Sequence, residues 1–236
     1  MSATLPNAYA FQIDDNSFFF RELVRAKAKS LFDCHYLALL RDWHRRFGLR
    51  VTLNCFLETP DGFSLDQFPD RYRDEWNAQA DWLRLTFHAH REMPDYPYRN
   101  DTRGEAFAHD QARVKAAILR FAGEALWVPP SIVHWVAIPR TAWPTLARLG
   151  VRSLGGLFAE ANPEDLKFNL TGAEKEAVLR HGRYRDPDTG ITLFDVGIIC
   201  NNTPPDRAAA TLDAWVARCP DAPLAAIWAH EQYFWP

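Results

Sequence analysis

Two adjacent aspartates, Asp14 and Asp15, stand at the end of a short apolar run that covers residues 8–13. A run of this kind predicts a buried first strand. Burying two unpaired carboxylates costs a large desolvation energy, so we expect the pair to face water, a cation or a substrate. One carboxylate can bind a divalent ion while the other accepts a proton from water. The plainer alternative is that one of them caps the helix that follows.

A second group of ionisable residues follows the apolar run 83–87. It contains His88, His90 and Glu92, and imidazole and carboxylate groups suit zinc and similar ions. The four-residue offset between His88 and Glu92 places both on one face if the chain turns helical there. We therefore expect His88 to act at a site, because it ends a predicted strand. A surface loop that happens to hold two histidines is the alternative for His90.

Two more histidines occupy comparable places. His134 lies inside the apolar run 131–136. The pattern is equally consistent with a site residue and with a core histidine whose hydrogen bonds are made inside the protein. His230 and Glu231 follow the last predicted strand. In a parallel barrel that strand returns beside the first one, so His230 would face the aspartates and could serve as a general acid.

The order of elements predicts the scaffold that gathers these residues. Apolar strand-like runs alternate with amphipathic segments about seven times, which favours parallel strands joined by right-handed crossover helices. We predict an α/β fold, an incomplete (β/α)7-type parallel barrel forming a single domain over residues 1–236, with its site at the carboxyl ends of the strands. The predicted strands are 8–13, 49–56, 83–88, 132–138, 151–158, 191–199 and 224–228, with a hairpin partner at 183–185. The main predicted helices are 33–47, 69–82, 103–123, 141–149 and 208–217.

Whole-chain composition excludes several classes of protein. Hydrophobic residues make up 47% of the 236 residues, enough for a large core. The net charge of −3 lacks the basic footprint of a nucleic-acid-binding protein. No apolar run approaches the roughly 20 residues needed to span a bilayer, and the first residues lack the pattern of a signal peptide. We therefore expect no nucleic-acid or membrane partner and a cytoplasmic location.

The cysteines and aromatic residues have less specific patterns. None of the four cysteines forms a CxxC pair, so a structural zinc or a disulfide framework is not expected. Cys55 and Cys200 lie in apolar runs, which predicts buried free thiols. Nine tryptophans could stack on sugar rings, although large aromatic side chains more often pack in cores and at rims.

The motifs, taken in order, resemble those of the polysaccharide deacetylase (NodB homology) superfamily. The chain also looks like an uncharacterised, divergent branch of it, whose patterns residues 82–89 and 229–234 fit. The first motif is a strand ending in an aspartate pair, here Phe11-Gln12-Ile13-Asp14-Asp15. The strand-like run 47–56 follows a helix, and the next motif, normally H-x3-H, is here 86–92. The family closes on a strand ending in histidine, here Ala229-His230-Glu231. The resemblance covers most of the chain and implies an incomplete barrel fold.

The resemblance also implies roles. Asp14 would be the catalytic base, His230 the general acid, and Asp15 and His88 ligands of a divalent metal, zinc or a similar ion. The chain departs from the pattern where Glu92 replaces the second metal histidine, so His134, His90 or Glu92 would supply the third ligand. We take His134 as the first choice. The usual R-x-P-x-G motif has no glycine in the nearest stretch, 134–140.

These residues predict a metal-dependent hydrolase that cleaves an N-acyl bond of a carbohydrate or similar small molecule. We assign substrate contacts to Trp135, Glu231 and Tyr233. Two alternatives remain open on the residues alone. One is a degenerate, non-catalytic barrel that binds a sugar or metabolite, and the other is a glycoside hydrolase that uses Asp14 and Glu231 as its two carboxylates.

Overall fold

A computed structural model of the chain describes residues 8–157, 168 and 170–235, in which strands alternate with helices. The strands are β1 (Tyr9–Asn16), β2 (Val51–Phe56), β3 (Leu83–Ala89), β4 (Ser153–Gly156), β5 (Arg183–Arg185), β6 (Thr192–Ile199) and β7 (Ala225–His230). The helices are α1 (Phe18–Arg25), α2 (His35–Phe47), α3 (Arg73–Asn77), α4 (Glu105–Phe121), α5 (Trp143–Arg148), α6 (Gly172–His181) and α7 (Ala208–Arg218). None of these helices is long and apolar enough to cross a membrane.

The strands form one sheet in the order β3-β2-β1-β7-β6-β4, with β5 paired to β6 beside this path. Strand β2 pairs in parallel with β3, and β6 pairs in parallel with both β4 and β7. The hairpin partner β5 runs antiparallel to β6. The last strand lies next to the first, and β3 and β4 end the order without meeting among the described strands. This is the strand order of an incomplete α/β barrel, which confirms the predicted fold class.

Backbone contacts divide the chain into two compact units. The first unit is Met1–Phe11, Asp95–Ala108 and Pro129–Ala229, and the second is Gln12–Pro94, His109–Val128 and His230–Pro236. One cluster in the core of the first unit consists of Ile132, Phe194, Val196, Ala226 and Trp228. The prediction of a single domain over the whole chain stays a prediction.

The second unit has a core rich in aromatic side chains. Phe20 packs edge-on against Phe68 and Phe121, with ring centroids 5.0 and 5.4 Å apart. Phe19 and Trp76 join the same cluster, and all five side chains are fully buried. Aromatic side chains bury large areas, so this cluster anchors α1 against the elements that follow β2. Helix α1 begins directly after β1. The packing of α1 therefore holds the end of β1, which carries the aspartate pair, in position.

Two predicted elements are wrong. The predicted strand at 132–138 is instead a 3-10 turn, His134–Val136, because Trp135 and Val136 adopt left-handed backbone angles, with φ of 59° and 52°. Extended strand geometry cannot continue through such residues. The predicted helix at 69–82 is reduced to a 3-10 turn followed by the five-residue α3.

The double glycine in the predicted strand 151–158 has a packing reason. Strand β4 covers only Ser153–Gly156, and residue 158 lies outside the described residues. A Cβ atom added to Gly155 would stand 2.6 Å from Cζ2 of Trp228. Only glycine therefore lets the indole of Trp228 pack this close to the backbone of β4.

Other predictions agree with the structure. Helix α2 ends at Gly48 in the left-handed conformation, as its sequence pattern indicates. All four cysteines are free, and Cys55 is buried. Cys200 is exposed, contrary to prediction, because β6 ends at Ile199 and Cys200 opens a 3-10 turn.

Candidate metal centre

The aspartate pair closes β1 in an unusual backbone geometry. Asp14 is 4% exposed, and Asp15 is nearly as buried. Asp15 has a φ of 64°, a left-handed angle that is uncommon outside glycine and often marks functional sites. Its Oδ1 atom lies 3.2 Å from Nε2 of His88, near the end of β3. The structure therefore places the carboxylate and the imidazole in direct contact, although they are 73 residues apart in the sequence, from 15 to 88.

The electrostatics of His88 reflect this contact. Its side chain is buried, and burial alone would lower the pKa of the imidazole. The nearby Asp14 carboxylate and the hydrogen bond to Asp15 outweigh burial, so the net pKa of His88 is raised above its usual value.

Asp14 is held by a side chain from β2. Nδ2 of Asn54 donates a hydrogen bond of 2.6 Å to Oδ1 of Asp14. Burial raises the pKa of the Asp14 carboxyl, and Asp15 adds to this, while His88, His230 and the Asn54 hydrogen bond lower it. The net pKa is raised, which makes the ionised Asp14 a stronger base than an exposed aspartate. Its second oxygen, Oδ2, is the atom left to accept a proton.

Asn16 supports this arrangement from the end of β1. Its Nδ2 donates to the backbone oxygens of Ile13, at 2.5 Å, and Asn54, at 3.2 Å. Its Oδ1 accepts a hydrogen bond of 2.8 Å from the Tyr36 hydroxyl. Sequence reasoning missed Asn16, Asn54 and Tyr36. The available signal was Asn54, a polar residue inside the otherwise apolar run 51–56, which has to be paired when buried.

Three side chains form a candidate metal-binding group. One ligand atom from each of Asp15, His88 and His134 lies within 4.8 Å of the other two. His134 opens the 3-10 turn described above and is buried. Two imidazoles and one carboxylate are donors that zinc and similar ions accept, and three protein ligands leave a coordination position for water. The residues present therefore fit a divalent ion.

His90 and Glu92, the other two candidates for the third metal ligand, have different surroundings from His134. His90 is engaged by carboxylates on both ring nitrogens: Nε2 lies 3.1 Å from Glu58 and Nδ1 lies 3.5 Å from Asp110. Glu92 acts electrostatically on His88 and raises its pKa, but it is not in the candidate group. The geometry therefore favours His134 over His90 and Glu92.

His230, the predicted general acid, is the last residue of β7 and is partly exposed. Its charge lowers the pKa of the Asp14 carboxyl, so the two side chains lie in each other's electrostatic field. The ring of Tyr233 packs edge-on against His230 at 6.4 Å and is itself 63% exposed. The predicted roles of His230 and Tyr233 stay predictions.

Glu231 has a role that differs from the predicted one. Its side chain is fully buried, and the carboxylate accepts hydrogen bonds from the backbone N–H groups of Ser17, Phe18 and Phe19 at 2.6, 2.9 and 2.7 Å. Those groups form the start of α1, where the Ser17 side chain makes no capping bond. Glu231 therefore caps α1 from the far end of the chain. It is not exposed to a substrate, which contradicts its predicted substrate contact and removes the second carboxylate of the glycoside-hydrolase alternative.

Trp135 lies next to His134 and is 39% exposed. Its ring packs against Tyr96 with centroids 5.1 Å apart. Both residues have a left-handed φ, 59° for Trp135 and 54° for Tyr96. A partly exposed indole can stack on a sugar ring. The predicted substrate contact of Trp135 stays a prediction.

The pKa values predict how stability depends on pH without metal. The pKa values of Asp14 and His88 are raised, and burial raises the pKa of Glu231 to about 7 from 4.5. A group whose pKa is raised on folding stabilises the folded state fully at pH values below its pKa in the unfolded chain. This stabilisation is lost as the pH rises through its pKa in the folded protein. All three groups therefore act in the same direction.

We expect the free energy of unfolding in urea, with a chelator present, to be lower at pH 8 than at pH 5. Glu231 alone accounts for about 3 kcal/mol. The lowered pKa of Glu174, about 2, affects stability only at lower pH, outside this range. Equal stability at the two pH values would contradict the assigned environments of these groups.

Comparison of the chain with models of protein families, with curated proteins and with solved structures finds no match.

Proposed function

We propose that the protein is a metal-dependent hydrolase that cleaves an N-acyl C–N bond, other than a peptide bond, in a carbohydrate or similar small molecule. The observation that carries the proposal is the group formed by Asp15, His88 and His134, whose ligand atoms lie within 4.8 Å of one another. The buried carboxyl of Asp14 stands beside it with a raised pKa. A metal donor set next to a basic carboxylate that is not itself a ligand suits the hydrolysis of an acyl group.

In this proposal Asp15, His88 and His134 hold the divalent ion, zinc or a similar metal. When bound, the ion supplies a Lewis acid that polarises the acyl carbonyl and lowers the pKa of water at the site. Three protein ligands from separate parts of the chain would leave a fourth coordination position for water or substrate.

The remaining steps belong to the protein's own side chains. Asp14 takes the proton of the attacking water at Oδ2, because Oδ1 already accepts the hydrogen bond from Asn54. His230 donates a proton to the nitrogen of the leaving amine as the C–N bond breaks. The products are the free amine and the carboxylic acid, and the partly exposed Trp135 and Tyr233 contact the sugar.

The test is acetate release from N-acetylated glucosamine oligomers after the protein is stripped with a chelator and reloaded with zinc, cobalt or manganese. We expect release only from the reloaded protein. Release that persists in the chelator would contradict the metal-dependent reaction. A reloaded protein that binds the oligomers but releases no acetate would instead favour the non-catalytic binding barrel.

A further inference from the structure

A second cluster of charged residues lies in the first unit, on the short hairpin strand β5. Arg183 and Arg185 are two residues apart on this strand, so their side chains leave the same face. Tyr184 between them leaves the other face, and its hydroxyl donates a hydrogen bond of 2.8 Å to Glu174. Two arginines at this spacing stand roughly 7 Å apart along the strand, a distance that one oxyanion can bridge.

The two arginines line a cavity of about 670 Å³. This volume is in the usual range for small-molecule sites. The residues around it are His181, Arg183, Tyr184, Arg185, Thr192 and Asp221. Thr192 is the direct neighbour of Arg185 across the hairpin and adds a hydroxyl group.

The two arginines of this cavity differ from other arginines of the same unit in how they are paired. In the described part of the chain, neither Arg183 nor Arg185 lies within 4 Å of a carboxylate, and neither guanidinium donates a hydrogen bond. Two other arginines of the same unit do pair. Arg140 bonds Glu174 at 2.7 Å, and Arg218 bonds the buried Asp195 at 2.5 Å.

Among the lining residues that the structure describes, the single acidic one faces the histidine. Oδ2 of Asp221 lies 3.7 Å from Nδ1 of His181. Two arginines against one aspartate leave a net charge of +1 with His181 neutral and +2 with it protonated. Guanidinium groups bind the oxygens of phosphate and carboxylate through paired N–H donors, which lysine cannot match.

We propose that this cavity binds an oxyanionic group, a phosphate or a carboxylate, between the guanidinium groups of Arg183 and Arg185. The guanidinium of Arg185 lies over the turn at Gly190, where a Cβ atom would stand 3.4 Å from its Nη2. The purely structural alternative is that the arginines only discourage pairing of a short edge strand with another chain. That alternative predicts no anion affinity.

The test is titration calorimetry of the whole protein at low ionic strength with inorganic phosphate and, separately, with citrate. We expect binding to the parent protein, and at least about tenfold weaker binding by Arg183→Gln and by Arg185→Gln, because each loses a charged hydrogen-bond donor. A preference for phosphate assigns a phosphorylated ligand, and a preference for citrate assigns a carboxylate-bearing one.

The control is Arg45→Gln, which removes the same charge from an exposed position on α2. It should bind both anions as the parent does, and circular dichroism melts should show that all the variants stay folded. Absence of binding by the parent at millimolar anion, or an equal loss in Arg45→Gln, would overturn the proposal.

Discussion

Asp14→Asn is expected to lower kcat for acyl hydrolysis by about 10²–10⁴-fold, the usual contribution of a general base. The change removes the proton acceptor but keeps the shape of the side chain and an oxygen that can accept the Asn54 hydrogen bond. Metal affinity should stay within a few-fold of the parent, because Asp14 is not in the ligand group. The assay is acetate release, and calorimetry measures metal binding in the same preparations.

The matched control is Asp42→Asn on the exposed side of α2, where the carboxylate pairs with Arg46. It should leave kcat unchanged. A kcat for Asp14→Asn close to that of the parent would show that Asp14 is not the base. A large loss of metal affinity in the same variant would show instead that Asp14 is a ligand.

Glu231→Ala is expected to lower the free energy of unfolding by about 3–5 kcal/mol. Removing the carboxylate leaves the N–H groups of Ser17, Phe18 and Phe19 buried without their acceptor. The melting temperature should fall by roughly 10 °C in a protein of this size. Urea unfolding at pH 7 and a thermal scan measure the two quantities.

The control for this substitution is Glu124→Ala, an exposed glutamate that follows α4. Its unfolding free energy should stay within about 0.5 kcal/mol of the parent. If Glu231→Ala costs less than about 1 kcal/mol, Glu231 does not cap α1 in the way its contacts indicate.

The strand ends that carry the site were predictable from the sequence. Carboxyl ends of parallel strands gather at one edge of a sheet, so charged residues directly after apolar runs point to a shared site. Asp15 and His88 satisfy this rule and lie in contact. The rule needs only the local pattern of apolar and polar residues, which the sequence carries directly.

The turn at His134 and the cap at Glu231 were not predictable in the same way. The apolar run 131–136 has the composition of a strand, and only the left-handed Trp135 and Val136 turn it into a 3-10 turn. The contact from Glu231 to Ser17 joins residues 214 apart in the sequence, a separation at which no local pattern signals a cap. Residues whose role depends on distant partners are therefore the ones that sequence reasoning misplaces.

Metal binding tests the central claim most directly. Titration of the chelator-stripped protein with zinc should show one ion per chain, and Asp15→Ala, His88→Ala and His134→Ala should each weaken binding by at least about tenfold. His90→Ala, a histidine held by Glu58 and Asp110, should bind zinc as the parent does. Unchanged affinity in Asp15→Ala and His88→Ala, or an equal loss in His90→Ala, would contradict the assigned metal centre and the hydrolase built on it.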